Sequence, residues 1–313
     1  MTEISIVIPA YNESGNIELI YKAVSSVLKK MDLTYEIIFV DDGSSDDTNE
    51  KVHDLSKKDK NVKLIGFSRN FGKEIATTAG IHQATGNATI ILDADGQHPV
   101  ELIPDFIALW EKGNKVVVGI RDENKNEGLL KKYGSKIFYK LFNKLSGTTL
   151  IPGSTDFRLI DKDVRTTFSK LQEQDRITRG LIDWVGYKRE YVHFTANERL
   201  HGEATYTPSK LLKLALNSFV SLSSAPLYVF GYIGLLLTFT SLLGGVFVLI
   251  EQYILPDPLN LNISGSASLG LLILFAIGIL LISQGIMSLY ISKIYSESKK
   301  RPLFVIDSSR SVI

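Results

Sequence analysis

Cysteine is absent from all 313 residues, so the chain has no disulfide framework and no thiolate metal site, and its redox compartment stays open. Both common phosphate loops are missing as well. No GxGxxG follows any apolar run, which excludes a nicotinamide-dependent dinucleotide fold, and no GxxxxGK occurs anywhere. Excess charge is lacking: 35 Lys and Arg against 34 Asp and Glu leave +1, so no bulk electrostatic argument favours a nucleic-acid partner. Internal repeats and low-complexity stretches are absent. The N-terminus carries no signal-peptide pattern, because Ile4–Ile8 already reads as a core strand behind Thr2 and Glu3. The first two-thirds of the chain are therefore expected to be cytosolic.

The last third has an absence of a different kind. Leu227–Ile250 is 24 residues without a charge, and Leu269–Ile291 is 23 more. At about 1.5 Å per residue each would reach roughly 35 Å as a helix, enough for a hydrocarbon core of about 30 Å. Two such runs joined by a short polar loop predict a transmembrane hairpin. The loop Glu251–Ser268 has no Lys or Arg, whereas Lys293, Lys299, Lys300 and Arg301 follow the second run. The positive-inside rule then puts the loop outside, and the N-terminal region and tail in the cytosol. Gly231, Gly234, Gly244, Gly245, Gly270 and Gly278 give the runs small residues through which copies could associate, so a homo-oligomer stays open.

The soluble part alternates strand and helix patterns, which predicts a mostly parallel α/β sheet. Strands are expected at Ile4–Ile8, Glu36–Val40, Val62–Phe67, Ala88–Leu92 and Lys115–Gly119. Helices are expected at Ile17–Met31, Asp46–Lys57, Lys73–Thr85 and Val100–Lys112. Asn16 could cap the first helix, and Ser44 or Ser45 the second. Leu129–Leu145 places Leu130, Ile137, Phe138, Leu141, Phe142 and Leu145 on one stripe flanked by lysines. It reads as an interfacial amphipathic helix or as an ordinary surface helix. Ser209–Ser224 is a second interfacial candidate, leading into the first apolar run.

The most telling stretch is IILDADGQHP, Ile90–Pro99. An apolar strand ends in Asp93 and Asp95, whose alternation points both carboxylates to one side. The carboxyl end of a strand is where open α/β sheets bind ligands. Two hard oxygen ligands suit Mg²⁺ or Mn²⁺ carrying a substrate's phosphates. Alone, the pair fits solvated acids in a turn equally well. Two neighbouring strands change the balance, since PAYNE (Pro9–Glu13) and VDDGSSDDT (Val40–Thr48) put further acidic and turn residues at the same edge. Asp41 or Asp42 could accept hydrogen bonds from a base or ribose, and Tyr11 could stack on a base.

PAYNE, YEIIFVDDGSSDDT, FSRNFGKE, DADGQHP, the arginine of VVVGIRD, STDFRLID, and ERLHGEATY before an apolar hairpin together resemble glycosyltransferase family 2 over the whole chain. These are inverting enzymes of the GT-A fold. The nearest resemblance is to the membrane-associated polyprenyl-phosphate glycosyltransferases, which include dolichol-phosphate mannose synthases and bactoprenol glucosyltransferases. The resemblance implies a nucleotide-sugar-binding half at 1–125, an acceptor-side half with interfacial helices at 126–226, a transmembrane hairpin at 227–292 and a cytosolic tail at 293–313. It puts a nucleotide pocket on Pro9, Tyr11, Glu13, Val40 and Asp42. A metal site falls on Asp93, Asp95 and Gln97, with Ala94 against the donor. Phosphate-binding arginines fall on Arg121 and Arg199, where guanidinium forks grip oxygens in pairs. His98 invites a ligand reading, but a structural role is the better fit for one imidazole just before Pro99.

The implied reaction moves a hexosyl unit from a nucleotide-diphosphate sugar to polyprenyl phosphate at the cytosolic membrane face. UDP-glucose and undecaprenyl phosphate are favoured by analogy; GDP-mannose and UDP-N-acetylglucosamine stay open. Asp156, in STDFRLID, could orient the acceptor or a sugar hydroxyl, act as a base, or merely cap a turn. One departure from the family pattern concerns its final Arg-x-x-Gly-x-Ser-Lys, which here ends at Thr205 without the lysine. Arg176, Arg179, His201 and Lys210 are candidate replacements. A processive polysaccharide synthase would want QxxRW and more spans, and neither is present. A non-catalytic membrane adaptor is the rival from another class.

Overall fold

The computed structural model describes residues 2–122, 151–197 apart from 152 and 175, scattered positions between 232 and 243, and 265–312. The chain divides into two units: Met1–Leu211 together with Lys300–Ile313, and Leu212–Lys299. Arg199, Thr205, His201, Lys210, the Leu129–Leu145 and Ser209–Ser224 segments and most of Leu227–Ile250 lie outside the described residues.

The first unit is built on a seven-stranded sheet: β1 Ile4–Ala10, β2 Tyr35–Asp41, β3 Val62–Gly66, β4 Ala88–Ile91, β5 Val116–Arg121, β6 Ser154–Asp161 and β7 Arg189–Phe194. Their order across the sheet is β3-β2-β1-β4-β6-β5-β7. Helices α1 Ile17–Leu28, α2 Thr48–Lys58, α3 Lys73–Gln83, α4 Ile103–Glu111, α5 Lys162–Phe168 and α6 Thr178–Trp184 pack around it. Every strand pair is parallel except those made by β6, which runs against both β4 and β5. The expected parallel α/β sheet is present, with one reversed strand that the sequence pattern did not announce.

Alternation explains the layering. Ile4, Ile6 and Ile8 enter one core with α1, α4, Phe39, Phe106 and Phe157, while Val7 on the other face joins Ile38, Val40, Ile65 and the small face of α3. Gly80 lets α3 lie this close, since a Cβ there would collide with a methyl group of Val7. β6 matters most for function. Ile91 sits opposite Arg158, and Val118 faces the same residue from β5, so the reversed strand begins where β4 and β5 end. Its first residues, Ser154–Asp156, are thereby delivered to the ligand edge. A register shift between Val118 and Ile120 bends β5 just before Arg121.

The expected helix caps are corrected. Asn16 stands at the N-cap of α1, but its side-chain amide donates to Glu13 and not to the helix. Helix α2 starts after Asp47, and Ser44 and Ser45 instead bond to the turn after β1. In both cases a loop-to-loop bond takes the side chain that local pattern assigns to a cap.

The second unit contains α7, Gly265–Ser298, which includes the expected span Leu269–Ile291. At about 1.5 Å per residue its 34 residues extend about 51 Å. It is the one helix among the described residues long and apolar enough to cross a membrane. Leu272, Phe275, Leu280, Leu281, Leu289 and Ile294 are all exposed along it, on no single stripe.

Candidate active site

The carboxyl ends of β1, β2, β4 and β5 and the start of β6 surround a cavity of about 870 Å³. Pro9 lies in β1, Tyr11 and Glu13 in the turn after it, and Asp42 directly after β2. Asp93, Ala94, Asp95, Gln97 and His98 follow β4, Arg121 ends β5, and Asp156 opens β6. The structure thus brings together every described residue to which the resemblance gave a site role, with one exception. Val40 is fully buried in β2, packed with Val7 and Ile65, and does not line the cavity. Its strand position faces it into the sheet's core layer.

Lys73 and Asn12 were given no role by sequence alone, whereas Arg179 was a candidate replacement for the missing lysine. Lys73, in the first turn of α3, places its ammonium 2.7 Å from Asp93 and 2.8 Å from Asp156. Arg179 reaches the cavity from α6, and Asn12 from the turn after β1. Burial alone would lower the Lys73 pKa, but the charges of Asp93 and Asp156 hold it well above the ordinary lysine value. Burial would likewise raise Asp156, and the cations Lys73 and Arg179 pull it far below the usual carboxylate range. The FSRNFGKE run contained the signal: an aromatic-Gly turn delivering a lysine to the first turn of a helix at the ligand edge.

Asp42 holds the lysine's loop. Its two oxygens accept the amides of Phe71 and Gly72 at 2.7 and 2.9 Å, and only 2% of it is exposed. Burial pushes its carboxyl up, partly offset by those two amides. Gly43 follows at φ 69°, where any Cβ would strike the backbone of Arg69.

His98 is structural. It is 7% exposed, its ring stacks on Phe157 at 5.1 Å, and its Nδ1 accepts the Asp93 amide at 3.2 Å. Burial lowers its pKa, which keeps Nδ1 an acceptor and fixes the backbone that aims Asp93. Arg176 is buried, lies over the Phe168 ring and donates to Leu171 O, so it does not reach the cavity.

Asp93, Asp95 and Gln97 offer oxygen donors only, a set that fits Mg²⁺ or Mn²⁺ and not a soft metal. Asp93 Oδ1 is buried, faces Lys73 and makes no hydrogen bond of its own. Among the described residues no group of three or more acids or histidines forms a complete metal cluster. Oxygens of a bound phosphate would have to complete the shell.

A mixed α/β domain with an Asp-x-Asp pair, an ammonium and two arginines at its ligand edge is a transferase domain suited to phosphate-bearing donors. The chain belongs to glycosyl transferase family 2, whose sequence profile matches residues 5–167. An uncharacterized glycosyltransferase from Synechocystis sp. is 38% identical over 304 residues, covering 97% of this chain and 94% of that protein. The bactoprenol glucosyl transferase of Shigella phage SfV is 36% identical over 308 residues, covering 98% and 99%. Glucosyl-3-phosphoglycerate synthase from Mycobacterium tuberculosis, solved with Mn²⁺ and UDP-glucose, superposes with a TM-score of 0.47. It is 17% identical over 71% of this chain and 78% of that one, a likeness too loose to build on.

Proposed function

We propose that the cavity binds a nucleotide-diphosphate sugar and that the enzyme transfers its hexosyl unit, with inversion, to polyprenyl phosphate at the cytosolic membrane face. UDP-glucose and undecaprenyl phosphate are the leading pair. The observation that carries this reading is the cation-rich cavity beside Asp93 and Asp95, in a chain matched almost end to end by bactoprenol glucosyl transferases. The apolar surface of α7 supports a membrane setting, with Leu227–Ile250 as the first span of a hairpin and α7 supplying the second.

An acceptor phosphate oxygen attacks the anomeric carbon from the face opposite the diphosphate. The C1–O bond to the diphosphate breaks, and the nucleoside diphosphate leaves. A phosphomonoester with a second pKa near ~6 is largely dianionic at neutral pH, so it needs positioning more than deprotonation. This bears on Asp156. A carboxylate held so far below its usual range is a poor proton acceptor, and its role becomes orientation of Lys73 and of the bound substrate. Arg121 and Arg179, which line the cavity, would offset repulsion between donor diphosphate and acceptor phosphate. A divalent ion held by Asp93, Asp95 and Gln97 would supply charge neutralisation for the departing diphosphate.

The test is nucleotide release by detergent-purified protein with Mg²⁺ or Mn²⁺, across UDP- and GDP-sugars, with and without undecaprenyl phosphate. Release that needs both lipid and metal, for one sugar, is expected. Donor binding without release for any sugar would leave the adaptor reading in its place.

A further inference from the structure

The segment after α7 belongs to the first unit, where it folds along the free edge of β3. Ser68 N donates to Val305 O at 3.1 Å, Asp307 N to Gly66 O at 2.9 Å, and Leu64 and Val312 exchange bonds of 2.7 and 2.8 Å. Phe304 stacks on Phe67 with ring centroids 5.3 Å apart. β3 is adapted to this cover. A Cβ at Gly66 would run into the carbonyl and side chain of Arg310, and that glycine has no positive φ to explain it.

Arg310 does more than pack. Its Nη2 donates to Asp41 Oδ2 at 2.8 Å and to Ser44 O at 3.1 Å, and Asp41 is 1% exposed. Asp41 Oδ1 accepts the Ser44 amide at 2.9 Å. The Ser44 hydroxyl in turn accepts the Asn12 amide at 3.0 Å, and Asn12 Oδ1 accepts the Ser45 amide at 2.9 Å. Asn12 sits at φ 55°, a left-handed backbone that asparagine tolerates better than most side chains and that these bonds fix in place. Next to it is Tyr11, 47% exposed on the cavity wall.

We propose that Arg310 is a positioning residue for the donor. Through Asp41 and Ser44 it holds the Pro9–Glu13 turn in the shape that receives the nucleotide, so the C-terminal tail forms part of the donor site without touching the ligand. This rests on the reading of the cavity as a nucleotide-sugar site. Two neutral partners would make a weaker clamp, since a guanidinium bonding a buried carboxylate is a charge-assisted link.

The test uses full-length protein in detergent and UDP with Mn²⁺ as the probe, with affinity measured by calorimetry for wild type, Arg310→Met and Arg310→Lys. Arg310→Met is expected to weaken UDP binding about tenfold, the order of one lost charge-assisted hydrogen bond. Its KM for donor should rise more than its kcat falls, and amide exchange at residues 10–13 and 41–45 should quicken while β1 and β4 stay protected. Arg310→Lys should recover part of the affinity, and it carries the test alone if the Met variant does not fold. Unchanged UDP affinity in Arg310→Met overturns the proposal. So does a loss that merely follows a lowered melting temperature, with no recovery in Arg310→Lys. Wild-type protein that binds no nucleotide would overturn the donor reading and this inference together.

Discussion

Lys73→Met removes the ammonium shared by Asp93 and Asp156. Since both acids touch Nζ, their oxygens stand no more than about 5.5 Å apart. At an effective dielectric of about 20, two like charges at that distance repel by about 3 kcal/mol. The lysine side chain is 48% exposed, so solvent screening reduces the net cost to about 1–2 kcal/mol. In the wild type, Asp156 is depressed, so its contribution is lost only as pH falls through that low value. Lys73 is raised, so its contribution is lost only as pH rises above the ordinary lysine range. This pair therefore leaves wild-type stability flat between about pH 5 and 9. In the variant Asp156 loses its nearest cation but keeps Arg179 and Arg158 nearby, so its carboxyl moves back toward the unfolded value and part of its stabilisation at neutral pH is lost. Thermal melts followed by fluorescence of Trp110 and Trp184 should show a loss of about 3–6 °C at pH 7, shrinking as pH falls below the usual carboxylate range. Added Mn²⁺ should stabilise the variant more than the wild type, because a divalent ion then meets no competitor for Asp93. Equal melting temperatures with equal Mn²⁺ responses would refute the idea that Lys73 bridges the two acids in solution.

Three further variants probe the same architecture. Asp95→Ala should abolish transfer in the nucleotide-release assay while leaving the melt within about 1 kcal/mol of wild type, because the substitution is on a loop at the cavity wall; normal turnover would end the metal-site reading. Asp156→Asn should lower kcat by about two orders of magnitude, from a misplaced Lys73 and substrate, whereas a loss confined to donor KM would mean a binding role only. Gly80→Ala forces a methyl group against Val7 and should cost about 1–3 kcal/mol in a denaturant melt. Since α3 carries Lys73, donor affinity should weaken with it, and an undisturbed melt would show that the helix has room the packing does not suggest.

The five strands with clean apolar runs were legible to within a few residues, because a sheet covered on both faces writes its strands as nearly continuous Val and Ile. β6 was legible as a motif but not as a strand. STDFRLID begins polar and carries Arg158, which is 1% exposed and donates to Thr155 O at 2.8 Å, so a core position holds a charge that no periodicity rule expects. β7, REYVHF, lies at the sheet's edge, where alternating polar residues resemble a loop. The acid pair and its neighbours were readable because each follows an apolar strand directly. Lys73 was not, since its meaning depends on two acids 20 and 83 residues away that only the fold brings within reach. Val40 differs from its motif neighbours, since the resemblance groups it with the nucleotide pocket while its strand position buries its side chain.

The tail also gives the chain a sequence in time. Arg310 contacts Asp41 across 269 residues, and during synthesis those intervening residues, including all of α7, must be made first. At ~5–20 residues per second the β3 edge waits tens of seconds for its cover. The turn beside Tyr11 is completed only after the apolar helix has left the ribosome. A nascent chain thus has the turn after β1 without its Arg310 link until the hydrophobic segment has emerged, and gains that link when residues 305–312 arrive.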